Sequence, residues 1–75
     1  MIYIVEESYD YYGDKGYYPI YASKNIENAQ RTVENSIKNN PDEELYNYGF
    51  DEEDKIWWYS TSKRNLQIVC LPLND

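Results

Sequence analysis

The residues with the most distinctive chemistry lie between positions 41 and 54, PDEELYNYGFDEED, where seven carboxylates and three aromatic rings occur without a lysine or arginine. Half of the chain's fourteen acids fall in this stretch. Such a surface repels phosphate backbones and anionic membranes and attracts basic proteins. Acids three or four apart on a helix stand about 5–6 Å from one another, and same-face strand positions stand about 6–7 Å apart. Either arrangement presents a line of negative charge that a protein built to grip DNA or RNA meets as backbone. Asp42, Glu43, Glu44, Asp51, Glu52, Glu53 and Asp54 are the charged members of this candidate partner-binding surface, and Tyr46, Tyr48 and Phe50 are its apolar anchors. The competing reading is a solvated charge run with no partner.

A second candidate surface is aromatic. Ten tyrosines stand against a single phenylalanine and a single methionine. Tyr9, Tyr11, Tyr12, Tyr17 and Tyr18 crowd one short region, too many and too near a turn for all to reach a small core. Exposed tyrosine gives large contact area for little loss of entropy. The neighbouring Glu6, Glu7, Asp10 and Asp14 oppose base stacking with a nucleic-acid strand or a nucleotide. Tyr3, Tyr21 and Tyr59 read instead as sheet or core packing.

Other chemistry is poorly supplied. Histidine, the usual base near neutral pH, is missing. Cys70, the lone cysteine, lies in an apolar run without a basic neighbour and reads as a small buried hydrophobe. Asp51–Asp54 lacks the alternating pattern of a calcium loop and reads as a solvated turn. Gly13 and Gly16 lack the lysine and following helix of a phosphate-binding loop. A sponge for a small nucleotide would need Lys15, Lys63 and Arg64 to gather from separate turns. The expectation is therefore a binding protein without catalytic residues, metal or cofactor.

The totals agree. Seventy-five residues at a net charge of −7 make one small domain, residues 1–75. A chain of this length buries only about 60 % of its unfolded surface, so the core is thin. One cysteine allows no internal disulfide, no signal peptide follows Met1, and no apolar run approaches a membrane span of about 20 residues. These features predict a cytoplasmic protein.

The positioning elements follow from pattern. Ile2–Tyr12 reads as a strand, Tyr12–Gly16 as a turn with two glycines able to take positive φ, and Tyr17–Ala22 as a returning strand with Pro19 at an edge or bulge. Ser23 is the expected N-cap of an amphipathic helix whose apolar face is Ile26, Ala29, Val33 and Ile37. Asn39-Asn40-Pro41 ends it, the asparagines tolerating a left-handed cap. Residues 41–49 admit a second short helix, the preferred reading, or a period-two strand through Tyr46, Tyr48 and Phe50. Lys55–Thr61 and the apolar Leu66–Leu71 are strands, the latter central. The predicted fold is α+β: a small antiparallel or mixed sheet in ββαββ order, covered by one amphipathic helix, with or without the second short one.

Small size, strong acidity and the stretches PDEEL and FDEED make the chain resemble phage-encoded inhibitors of host defence, including anti-CRISPR proteins and other DNA mimics. The stretch YPIYASKNIENAQRTVENSI is similar to a helix-start pattern of small bacterial and phage domains. The resemblance implies an inhibitor that occupies the basic groove of a nucleic-acid-handling protein, such as a defence effector. The rival expectation is a protein-interaction or homodimerisation module that uses the tyrosine hairpin or a sheet edge.

Overall fold

The computed structural model describes residues 1–72. Ile2, Tyr3, Ile4 and Val5 favour extended backbone and open strand β1 (Ile2–Tyr11). The chain turns back at once into β2 (Asp14–Ser23). Tyr12 and Gly13 make the connection, at φ of 51° and 87°. That geometry matches the right-handed twist of a hairpin. The turn is thus shorter than the expected Tyr12–Gly16. Tyr12 takes the first of the two left-handed positions and Gly13 the second, while Gly16 lies within β2 opposite Tyr9. The Tyr9 phenol crosses Gly16 so closely that a Cβ there would meet its oxygen at 2.7 Å. Pro19 satisfies both expectations for it: β2 is an outer strand, and the β1–β2 register slips between Val5 and Glu6, opposite Pro19.

Helix α1 (Ile26–Lys38) is capped by Asn25 rather than by Ser23. The Asn25 side-chain oxygen accepts from the Glu27 N–H at 2.8 Å, and Ser23 Oγ accepts from the Asn25 N–H. Glu27 in the first turn and Lys38 in the last complement the helix dipole. Ala29, Val33 and Ile37 are buried on the predicted face. Asn39 ends the helix at φ −75°, in the right-handed region, so the expected left-handed cap is not used.

Residues 41–49 do not form the preferred second helix. They lead into strand β3 (Leu45–Asp51), and the order becomes ββαβββ instead of ββαββ. Cross-strand packing outweighs the local helix-start signal. Tyr48 stacks on Tyr59, Phe50 packs on Trp57, and the Trp58 ring lies against Gly49, where a Cβ would meet it at 2.8 Å. Strand β4 (Ile56–Thr61) begins one residue later than expected, because Lys55 sits in the turn at φ 57°. Strand β5 (Asn65–Leu71) is central, as its apolar sequence predicts.

The five strands run β2-β1-β5-β4-β3, each neighbouring pair antiparallel. Helix α1 crosses one face over β1, β2 and β5. Val5, Ala29, Val33, Ile37, Tyr59, Leu66 and Ile68 form the core, with Tyr3, Ile26 and Trp57 packed at its margin. Two features project from this body. The β1–β2 ladder runs on to Tyr11 and Asp14, whereas β5 pairs β1 only as far as Glu7, so the tyrosine hairpin extends as a two-stranded arm. At the other side, β3 is an edge strand beyond the helix's cover.

Candidate protein-binding site

The edge strand positions the anchors. Pairing of Tyr48 with Tyr59 and of Phe50 with Trp57 directs these four side chains to the helix-bearing face. The rings form two adjacent pairs: Phe50 and Trp57 at 4.5 Å between centroids, Tyr48 and Tyr59 at 6.4 Å and nearly parallel. Tyr3 braces Trp57 edge-on at 5.9 Å. Between this array and the Gln30–Glu34 turn of α1 lies a groove of about 650 Å³. Tyr59 is 9 % exposed and makes its floor, whereas Tyr48 at 66 % and Phe50 at 42 % stand open to solvent. Burial, followed by the nearby Glu34 carboxylate, pushes the Tyr59 phenol above its ordinary value. Tyr46, also exposed, falls at the register slip between Leu45 and Asn47. The Tyr48 N–H donates to the Asn47 side-chain oxygen at 3.0 Å.

The structure divides the acidic segment between the two ends of β3. Asp42 and Glu44 precede the strand, and Glu44 is held by its backbone: its N–H donates to Ser62 Oγ and its carbonyl accepts from the Ser62 N–H. Asp51, Glu52, Glu53 and Asp54 form the β3–β4 turn at the far end, roughly 20 Å away by strand rise. Asp51 Oδ1 shapes that turn by accepting from the N–H groups of Glu53 and Asp54 at 3.0 and 3.3 Å. All six of these acids are exposed, and among the described residues none forms an ion pair.

Glu43 is the exception among the expected contact residues, because it points inward. Its carboxylate is fully buried and accepts two bonds from Arg64, from Nε at 2.8 Å and Nη2 at 2.9 Å. Thr61 Oγ1 donates a third bond to it. Arg64 also reaches Glu7 at 2.9 Å and Ser36 of α1 at 2.8 Å, and the Tyr18 hydroxyl donates to the far oxygen of Glu7. The Arg64 guanidinium holds Glu43 below the ordinary carboxylate range, and Glu43 in turn raises Arg64. The bond to Glu7 raises the Tyr18 phenol. This network ties β1, β2, α1, β4 and the approach to β3. No local pattern signals it, since its members are 7, 18, 36, 43, 61 and 64 in the chain.

Tyr9, Tyr11, Tyr12, Tyr17 and Tyr18 all lie on the β1–β2 arm and all are exposed. Tyr9 and Tyr18 face one another at 6.2 Å, and Tyr11 meets Tyr12 edge-on at 4.5 Å. Tyr12, at the tip, is 93 % exposed. Tyr17 joins Lys15 and Lys63 around a shallow hollow at the base of the arm, but Arg64 is committed to its two carboxylates, so the three bases do not gather. Cys70 is half-buried rather than buried, opposite Tyr3. Among the described residues no three His, Cys, Asp or Glu side chains are placed to hold a metal ion, and no helix is long and apolar enough to cross a membrane. No protein family, curated protein or solved structure matches the chain.

Proposed function

We propose that this chain is a small acidic binding protein that inhibits a nucleic-acid-handling protein, such as a defence effector, by occupying its basic groove. The observation that carries the reading is the edge strand itself: an exposed aromatic middle bracketed by two groups of unpaired carboxylates. The bracket spans roughly 20 Å, the axial length of about six phosphates on one DNA strand. Carboxylates steer and orient the encounter, and the aromatic middle supplies the burial that charge alone lacks. Six of the seven acids singled out by sequence take part, together with Tyr46, Tyr48 and Phe50; Glu43 supports the surface from beneath.

The test begins with a partner identified by pull-down from the native host and mass spectrometry. Replacing Asp51, Glu52, Glu53 and Asp54 together by their amides should weaken binding at least tenfold and restore the partner's grip on nucleic acid. Binding by the native chain should fall steeply between about 50 and 200 mM salt. Unchanged affinity and unchanged salt dependence in the fourfold variant would reject the reading.

A second reading, favoured by the fully solvated Tyr12 at positive φ, is a protein-interaction or homodimerisation module that works through the arm. It requires contact through Tyr11 and Tyr12, weak salt dependence, and loss of binding when those rings are removed.

A further inference from the structure

Four rings, one carboxylate and one amide converge on the groove beside β3, and their chemistry specifies a ligand more closely than the acidic surface does. Tyr48 and Phe50 on β3 pair with Tyr59 and Trp57 on β4, so the rings make a two-by-two array on one face. The faces of such rings carry negative charge density and attract cations. Glu34 stands across the groove on α1, one helical turn beyond Gln30. Among the described residues the Glu34 carboxylate has no ion-pair or hydrogen-bonding partner, although Arg31 and Lys38 lie on the same helix. Glu34 and the floor residue Tyr59 line the same groove.

An apolar ligand would cover this carboxylate and leave it uncompensated, which is costly. A phosphate or carboxylate ligand would meet Glu34 and the acids at both ends of β3. A second copy of the chain would bring its own acidic turn against the first. A cation matches every wall. A planar guanidinium suits this site better than an ammonium: it stacks on ring faces, is less strongly hydrated, and offers paired N–H groups to a carboxylate.

We propose that the groove between α1 and the β3–β4 ladder is an arginine-binding site, which takes the guanidinium of a side chain projecting from the basic partner over the rings of Phe50 and Tyr48, with Glu34 as its counter-ion. The proposal rests on the reading of the chain as a ligand for a basic protein and supplies the chemistry of its central contact. Carboxylates at the two ends of β3 steer the partner in, and the groove fixes its register.

The probe is a blocked tripeptide, acetyl-Gly-Arg-Gly-amide, titrated into the full chain and followed by amide and indole NMR shifts. Matched peptides carry citrulline or lysine in place of arginine. The arginine peptide should move the Trp57 indole N–H and the Tyr48 and Phe50 amides while leaving Tyr11 and Tyr12 still. Lysine should bind several-fold more weakly and citrulline not measurably. Glu34 is exposed, and leucine at position 50 keeps an apolar side chain beside Trp57, so Glu34→Gln and Phe50→Leu should fold, which the dispersion of their amide spectra checks. Phe50→Leu should weaken the arginine peptide about three- to tenfold through the lost ring face, and Glu34→Gln about two- to fivefold through the lost ion pair. Equal binding of arginine and citrulline, shifts confined to the arm, or a native homodimer that already covers these rings would overturn the site. The two proposals also fail separately. If the fourfold acidic-turn variant loses the macromolecular partner while Glu34→Gln and Phe50→Leu retain it fully, the groove assignment falls and the function stands. If the tripeptide binds as described but the captured partner is not basic, the function falls and the arginine site stands.

Discussion

Glu43 illustrates how a residue chosen for its charge is redirected by its partners. Sequence places it in a run of acids facing solvent, yet Arg64 and Thr61 surround it and its side chain is fully buried. Nothing in the local pattern distinguishes it from Asp42 or Glu44, because the deciding groups lie eighteen and twenty-one residues away. Removing one member of a buried pair leaves the other charge unsatisfied, so Glu43→Gln should cost about 3 kcal/mol, the low end for such breaks because Glu7 still holds Arg64. Asp42→Asn should stay within about 0.5 kcal/mol. Urea unfolding distinguishes the two. The fold holds the Glu43 carboxyl below its ordinary range, chiefly through Arg64. Its contribution is therefore complete at neutral pH and drains away as pH falls below about 4.3, through the depressed folded value. The Glu43→Gln variant should lose less stability than the native chain over that acid limb. Equal acid sensitivity of the two proteins would count against the pair as the cause.

At the scale of elements, the amphipathic helix and the central β5 were legible because each carries its own local pattern: Ala29, Val33 and Ile37 at helical spacing, and Leu66 to Leu71 apolar on both faces save Gln67. Strand β3 was legible only as the second of two readings: Tyr46, Tyr48 and Phe50 alternate as a strand does, but Asn40-Pro41-Asp42-Glu43 is a good helix start, and the groups that decide against it, Trp57, Trp58 and Tyr59, lie further along the chain. The candidate site was half visible for the same reason. Tyr48 and Phe50 stand out in sequence, but Glu34 is an ordinary surface acid until the sheet brings β3 to its side. The β1–β2 turn shows the opposite case, where a local rule is broken. A tyrosine at φ 51° carries backbone strain of about 1 kcal/mol, and its side chain, 93 % exposed, returns no core packing. Tyr12→Asn would install the asparagine–glycine pair that this turn prefers. It should raise stability by about 0.5–1 kcal/mol in urea unfolding, while removing any contact the arm makes through that ring. A destabilised Tyr12→Asn variant would mean that the Tyr11–Tyr12 contact outweighs the strain.

The whole molecule carries a net charge of −7, and its distribution decides how salt acts on it. Arg64 is engaged inside the network, so it does little for the exposed acids. At about 0.1 M salt the screening length is about 10 Å. The two ends of β3, roughly 20 Å apart, then hardly sense one another, whereas Asp51, Glu52, Glu53 and Asp54 are consecutive and repel within one turn. That repulsion favours the unfolded chain, in which the charges can spread, and added salt relieves it. The native protein should therefore become more resistant to urea as sodium chloride rises from about 0.02 to 0.2 M. The variant with all four turn acids changed to amides should start at a higher midpoint and gain less from salt. Its Asp51→Asn change keeps an amide oxygen that can accept from the N–H groups of residues 53 and 54, so the turn retains its hydrogen bonds without their charge assistance. Salt slopes that coincide in the two proteins would place the repulsion elsewhere. The prediction uses no partner, yet it reports on the same four carboxylates that the proposed inhibitor presents: a turn that is strained by its own charge in isolation gains most when a basic surface covers it.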